Sequence, residues 1–62
     1  MTAEQRVRIY MARHNLSQQG FASRVGCAQN SVSLILRGYK PRIALAYKLA
    51  PVLGVKPETL MR

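Results

Sequence analysis

The sequence predicts an all-α fold, a compact bundle of about five short helices that forms a single domain over residues 1–62. Two observations predict it. Apolar residues recur three or four positions apart along most of the chain, which is the spacing of one helix face, whereas strand-like alternation is weak. Residues that cap helices, and glycines or prolines that end them, separate these apolar groups. A domain this small has a thin core and a modest stability.

The first helix is expected from Thr2 to about Arg13. Thr2 and Gln5 have the spacing of a capping box, in which each side chain bonds the backbone N–H of the other residue. The apolar or aromatic side chains predicted to face the core from this helix are Val7, Tyr10, Met11 and His14. The pattern therefore predicts one amphipathic helix at the start of the chain.

The next helix is predicted over Gln18–Val25. Ser17 precedes it, and a serine hydroxyl there can accept a backbone N–H from the first turn. The side chains that share one face are Phe21, Ala22 and Val25. Gly26 follows, and a glycine can adopt the left-handed conformation that ends a helix and turns the chain sharply. These signals predict a helix with a tight turn after it.

A third helix is predicted over Gln29–Leu36, with Val32 and Ile35 buried against the helix before it. The polar residues left exposed on it are Gln29, Asn30, Ser33 and Arg37. Ala28 precedes this helix, and its methyl side chain forfeits about 1 kcal/mol of capping relative to serine or threonine. Helix, tight turn and helix together form a helix-turn-helix motif over about residues 17–37.

Two leucines make the third helix more apolar than one buried face requires. For Leu34 and Leu36 three roles stay open: contact of Leu34 with a thymine methyl group, a broader protein core, or a partner surface. Leu45 on the fourth helix is expected to be exposed as well. Together with Leu60 and Met61 it is a candidate dimer contact.

The rest of the chain predicts a loop and two further helices. Gly38–Pro41 reads as a loop, because glycine frees the backbone and proline disfavours helix at the residue before it. A fourth helix is expected from about Arg42 to Leu53, with Tyr47 at core spacing. Pro51 removes one helical hydrogen bond and predicts a kink or an early end near Ala50. Residues 57–61 read as a last helical turn with proline at its first position.

Charge points to a polyanionic partner. Ten Lys and Arg residues stand against two acids, Glu4 and Glu58, which gives a net charge of +8. Such a field attracts nucleic acids and anionic membranes alike, so charge alone does not choose DNA. One cysteine excludes an internal disulfide framework, and arginines interrupt any signal-peptide-like run at the start. With no apolar run long enough to span a bilayer, a cytoplasmic protein is expected.

Residues 16–38 carry a resemblance to a known family. Its recurrent positions hold Leu16, Ser17, Gln18, Ala22, Gly26, Val32, Ile35 and Gly38, without a gap. The similarity continues through Pro41, Leu49, Ala50, Leu53, Gly54 and Val55. The chain resembles the phage Cro/repressor (XRE-type) helix-turn-helix family. That resemblance implies a lambda-repressor-like domain whose second motif helix enters the major groove of double-stranded DNA.

The predicted DNA contacts follow from this arrangement. The candidate base-reading residues are Gln29, Asn30, Ser33 and Leu34, since glutamine and asparagine can pair with the adenine edge, serine can donate or accept, and leucine can meet a thymine methyl. The candidate phosphate-binding residues are Ser17, Gln18, Arg37, Lys40 and Arg42. Tyr39, in the loop, is a further candidate phosphate contact.

Catalysis finds little support in the sequence. A single histidine, a single cysteine and acids at the two ends offer neither a nucleophile–base pair nor a metal site, so no enzyme activity, cofactor or metal is expected. His14 reads as helix surface or core edge rather than as a general base. Cys27 has two readings: an oxidant sensor whose thiolate Arg24 stabilises, or a small residue that fills the motif turn.

The sequence therefore predicts a Cro-like phage or prophage repressor that occupies an operator. A homodimer on DNA is expected to demand a roughly palindromic site. Three alternatives stay open: an antitoxin-type or autoregulatory regulator of the same fold, a non-specific cationic protein that binds nucleic acid or membranes, and a protein–protein adaptor. A long amphipathic helix, typical of membrane-active peptides, is disfavoured by the turn glycine and the compact core pattern.

Overall fold

Five helices account for the regular structure of residues 1–61, the part of the chain that the computed structural model describes. They are α1 (Ala3–His14), α2 (Gln18–Val25), α3 (Gln29–Leu36), α4 (Ile43–Leu53) and α5 (Pro57–Met61). The all-α prediction is confirmed. The two motif helices, α2 and α3, begin and end at the predicted residues, and α1 and α4 each start one residue after the predicted position.

The predicted capping signals set the ends of α1 and α2. The Thr2 hydroxyl accepts the Gln5 N–H at 3.1 Å, and the Gln5 side-chain oxygen accepts the Thr2 N–H at 2.9 Å, which completes the capping box. Ser17 Oγ accepts the Gly20 N–H at 3.1 Å at the start of α2. Gly26 ends α2 with φ of 85°, in the left-handed region where glycine carries no steric cost. Local chemistry therefore positions both helices.

One core joins the five helices. Its buried apolar side chains are Val7, Phe21, Ala22, Val25, Val32, Ile35, Ala46, Leu49, Ala50 and Leu60. Helix α2 packs against α3, α5 packs against α4, and α1 lies against both α3 and α4. The predicted inward faces of α2 and α3 are confirmed, since all five of their expected core residues are buried. The motif is therefore held from behind by the rest of the bundle.

Two aromatic side chains do not lie where the spacing predicted. His14 is exposed, although it shares a face with Val7; its ring stacks on Tyr10, with the ring centroids 4.2 Å apart, at the edge of the core. Tyr47, predicted for the core, is 58% exposed. The inward face of α4 is formed by Ala46, Leu49 and Ala50, which turns position 47 toward solvent.

For the candidate dimer residues, the exposure expected from the sequence is also partly wrong. Leu60 is 1% exposed and belongs to the core, because α5 packs its apolar side onto α4. Leu45, predicted to be exposed, is half-buried and packs against the core, as does Met61. Leu36 is half-buried there too, which confirms the broader-core reading for that residue, whereas Leu34 remains 39% exposed.

Pro51 does not end α4 early. The helix continues through Leu53 and closes at Gly54, whose N–H donates to Ala50 O in the left-handed conformation. The missing proline N–H costs one helical hydrogen bond. Packing of Val52 and Leu53 against the core holds the last turn in place. Among the described helices, none is both long and apolar enough to cross a membrane.

Candidate nucleic-acid interface

The turn between α2 and α3 fixes how the two motif helices cross. The N–H groups of Gly26 and Cys27 both donate to Ala22 O, at 2.8 and 3.0 Å. Lys48 Nζ on α4 donates to Gly26 O at 3.3 Å, which ties the turn to the bundle. Sequence reasoning missed this role of Lys48, since it depends on α4 lying beside the turn. The turn is therefore anchored on two sides.

Cys27 lies half-buried in this turn and packs against the core. Burial raises the pKa of the Cys27 thiol above its ordinary value of 9.0, and the positive charge of Lys48 opposes that rise. Arg24, the residue predicted to stabilise a thiolate, donates instead to the Tyr10 hydroxyl at 3.2 Å. Both observations disfavour the oxidant-sensor interpretation, because a raised pKa keeps the thiol protonated and Arg24 is bonded elsewhere.

Helix α3 presents two sides with opposite character. Val32 and Ile35 are 0% and 1% exposed and face the core. Gln29 and Asn30, predicted to read bases, are exposed at the start of the helix. No side chain among residues 1–61 caps α3 at Ala28, as the sequence predicted. The amide side chains thus project from a helix whose other face is immobilised.

Ser33 and Gln18, predicted for two different kinds of DNA contact, bond each other. Ser33 Oγ donates to Gln18 Oε1 at 2.6 Å, partly shielded from solvent, and this bond joins α3 to the start of α2. Since the Gln18 oxygen is occupied, its two amide N–H groups remain as donors. The Ser33 hydroxyl retains its acceptor lone pairs. The structure therefore brings together the end of α2 predicted to meet phosphate and the middle of α3.

A Schellman motif shapes the segment after α3. Gly38 has φ of 100°, its N–H donates to Ile35 O at 2.9 Å, and the Tyr39 N–H donates to Leu34 O at 3.2 Å. This turn directs the chain away from the helix axis. The exposed basic residues that follow or flank it are Arg37, Lys40 and Arg42. Tyr39, 63% exposed, lies among them.

Arg8 supports α3 from α1, although the sequence did not single it out. Its Nη2 donates to Leu36 O at 2.9 Å, and its Nε donates to Glu4 Oε2 at 3.0 Å. A guanidinium on the last carbonyls of a helix also complements the helix dipole. The signal available in the sequence was the spacing of Glu4 and Arg8, four positions apart, but only the fold shows the contact with α3.

This geometry defines a class of protein. Two short helices joined by a tight glycine turn, with the second helix presenting exposed amides and a basic loop beyond it, form a helix-turn-helix DNA-binding domain. The sequence model of the helix-turn-helix family matches residues 7–60. The chain belongs to the XRE-type helix-turn-helix family, a family of DNA-binding domains.

Curated relatives agree with this assignment. A protein of Methanocaldococcus jannaschii, described as an uncharacterized HTH-type transcriptional regulator, is 36% identical over 56 residues, which cover 89% of this chain and 85% of the relative. Two proteins of Archaeoglobus fulgidus with the same description are 34% and 32% identical over 56 residues, covering 79% and 80% of their own lengths. No solved structure matches the chain.

Proposed function

We propose that the chain is a sequence-specific regulator of transcription that acts like Cro, by occupying an operator in double-stranded DNA and blocking polymerase, as a phage or prophage repressor does. The observation that carries the proposal is the exposure of Gln29 and Asn30 on a helix whose opposite face is buried. The relatives described as transcriptional regulators support the regulatory part of the proposal.

Base reading is assigned to the exposed side of α3. Gln29 and Asn30 each present an amide whose N–H can donate to adenine N7 and whose oxygen can accept from the adenine N6 amino group, and a good bidentate pair discriminates by roughly 1–3 kcal/mol. Leu34, 39% exposed, is placed to meet a thymine methyl group. Ser33, already bonded to Gln18, contributes its acceptor lone pairs and holds Gln18 in position.

Phosphate binding is assigned to both sides of α3. The side-chain amide of Gln18 and the first turn of α2, capped by Ser17, offer N–H donors to one backbone strand. The guanidinium and ammonium groups of Arg37, Lys40 and Arg42 serve the other side. With a net charge of +8, these contacts make the affinity fall as salt rises, because bound phosphates release counterions.

A homodimer on DNA is part of the proposal. Ile43 and Tyr47, four positions apart on α4, are 66% and 58% exposed and are the apolar side chains that α4 leaves to a second copy, in place of Leu45 and Leu60. A two-fold dimer sets two copies of α3 about one DNA turn apart. Sedimentation of the chain alone and on operator DNA measures this step, and a single copy on the operator contradicts it.

Selection of sites from a random duplex library, followed by anisotropy titrations of the selected and scrambled duplexes at two salt concentrations, tests the proposal. The expected result is a palindromic site that binds about 10³-fold or more tightly than the scrambled duplex. Equal binding of all duplexes, with an affinity that only collapses in salt, would overturn it in favour of a non-specific cationic protein. Binding to RNA or anionic vesicles at the same strength would do so as well.

Matched variants separate base reading from phosphate binding. Gln29→Ala and Asn30→Ala are expected to lower affinity for the selected site and leave the scrambled duplex unchanged, whereas Ser23→Ala on the exposed side of α2 changes neither. Lys40→Gln is expected to weaken both duplexes and to reduce the salt slope by about 1. Lys56→Gln, an exposed lysine outside the assigned contacts, is its control.

The antitoxin-type or autoregulatory alternative uses the same DNA contacts but a different operator. It predicts that the selected site lies upstream of the chain's own coding sequence and that a neighbouring gene encodes a protein bound by the chain. A protein–protein adaptor predicts no DNA affinity at all. The selected sequence, located in the source genome, distinguishes these alternatives from the repressor.

A further inference from the structure

A concave surface lies away from the residues assigned to DNA. A cleft of about 420 Å³ opens between α1 and the last turn of α4. Its lining residues are Met1, Arg6, Ile9, Tyr10, Arg13, His14, Val52, Leu53 and Gly54. It shares no residue with the assigned base or phosphate contacts, and its volume falls in the range of small-molecule sites.

The cleft joins positive charge to apolar surface. Arg6 and Arg13 contribute guanidinium groups to the wall formed by α1. Among the described residues that line the cleft, none is acidic. The two acidic side chains lie outside this lining: Glu4 bonds Arg8, and Glu58 is exposed on α5. Ile9, 40% exposed, faces the same space as Val52 and Leu53. The lining therefore complements an anion with an apolar body.

Arg6 supplies an independent observation. Its Nε is shielded from solvent and has no hydrogen-bond partner within residues 1–61. Buried polar groups are almost always paired, so this donor leaves the guanidinium with hydrogen-bonding capacity that a ligand oxygen takes up once the Arg6 side chain turns toward the cleft. The guanidinium presents donors in a planar fork that matches a carboxylate. The unpaired donor therefore belongs to Arg6, on the arginine-bearing wall of the cleft where an anionic headgroup would bind.

We propose that this cleft binds a small amphipathic carboxylate, with its headgroup on Arg6 and Arg13 and its hydrocarbon chain against Ile9, Val52 and Leu53. The site is separate from the DNA surface and does not depend on the proposed operator binding. It makes the chain a receptor for a small organic acid as well as a DNA-binding domain.

Titration of the ¹⁵N-labelled chain with octanoate, followed by NMR, tests the proposal. The expected result is a saturable shift of the Arg6 Nε–H signal and of the backbone amides of α1 and residues 52–54. Acetate and inorganic phosphate, which carry charge without a hydrocarbon chain, are expected to bind at least about tenfold more weakly than octanoate. Octylammonium, which carries the same chain and the opposite charge, is expected to leave these signals in place.

Three results would overturn the proposal. They are equal shifts with acetate and octanoate, equal shifts with octylammonium and octanoate, and octanoate shifts confined to the exposed apolar residues Leu34, Ile43 and Tyr47. Arg13 is exposed, so Arg13→Gln is expected to leave the fold intact and to weaken octanoate about fivefold or more. Lys56→Gln, with the same charge change outside the cleft, is expected to have little effect; equal weakening in both variants contradicts a specific headgroup site.

Discussion

Helices α2 and α3 have the same length, eight residues, but are stabilised in different ways. Ser17 caps α2 at its start, and Gly26 closes it in the left-handed conformation. Ala28 occupies the N-cap position of α3, and no residue of the described chain caps this helix with a side chain. Helix α2 is therefore specified by local signals, whereas α3 depends on its packing.

The contacts of α3 show what replaces the missing cap. Val32 and Ile35 are buried, Ser33 bonds Gln18 on α2, and Arg8 on α1 donates to the Leu36 carbonyl. Val32 and Ile35 lie on the side of α3 that faces the core, Ser33 lies at its edge with α2, and the Leu36 carbonyl is at the end of the helix. The comparison teaches that a helix can leave its start and outer side open for a ligand when neighbouring helices hold its inner side.

Truncation of a shared core side chain is expected to have the largest effect on the free energy of unfolding. It should destabilise α2 and α3 alike, although the two helices are capped differently. Phe21 is 0% exposed and meets the Tyr10 ring edge-on, with the ring centroids 5.5 Å apart. Phe21→Ala is expected to cost about 3–5 kcal/mol, which rivals the whole stability of so small a domain, so α2 and α3 unfold together. Urea unfolding followed by circular dichroism measures it.

Leu34→Ala is the control for this prediction. It removes a large apolar side chain from α3 at a position that is 39% exposed, so we expect a loss below about 1 kcal/mol. A Phe21→Ala chain that still unfolds cooperatively with a similarly small loss would contradict the view that one core holds both motif helices.

Alanine substitution of two glycines, one inside α2 and one in the turn after it, is expected to change the stability of the chain in opposite directions. Gly26 has φ of 85°, so Gly26→Ala strains the backbone even though nothing lies within 4 Å of the added Cβ, and we expect a loss of about 1–2 kcal/mol. Gly20 lies inside α2, where an added Cβ meets Ser17 Oγ at 3.4 Å and Leu16 Cδ2 at 3.5 Å, ordinary contact distances. Gly20→Ala is expected to stabilise the chain by up to about 1 kcal/mol. Thermal melts of both variants measure the difference, and a shift of the same sign in both contradicts it.

The helix caps test the comparison directly. Ser17→Ala removes the bond to the Gly20 N–H and is expected to cost about 1 kcal/mol. Ala28→Ser supplies the cap that α3 lacks and is expected to add about 0.5–1 kcal/mol. Urea midpoints of the two single variants and of the double variant measure both effects, which should nearly cancel. If Ala28→Ser adds nothing, packing already fixes the start of α3.

Signals that act within a few residues are the part of this fold that the sequence predicts well. Thr2, Ser17 and Gly26 act through bonds or backbone conformations close by in the chain, so their roles are legible without knowledge of the fold. The apolar spacing of α2 and α3 likewise identifies the inward faces correctly. The exposed position of Gln29 and Asn30 follows from the same spacing.

Failures of the sequence reading share one physical cause. The burial of Leu60 depends on α5 folding back onto α4, and the exposure of Tyr47 depends on which side of α4 the other helices cover. The Ser33–Gln18 bond and the Lys48 contact with Gly26 join residues 15 and 22 positions apart. Each requires the relative placement of two helices, which helical periodicity does not contain.

The smallest expected effect concerns the thiol that lies between the two helices. Burial raises the pKa of Cys27, so the unfolded chain loses its thiol proton first as the pH rises past about 9.0, and the folded state is progressively disfavoured there. The pH dependence of iodoacetamide alkylation is expected to have a higher midpoint in the folded chain than in urea. Lys48→Gln removes the opposing positive charge and should raise that midpoint further, whereas Arg24→Gln should leave it unchanged. A midpoint that responds to Arg24→Gln and not to Lys48→Gln would contradict this prediction, because Arg24 on α2 would then be the cation that acts on the thiol.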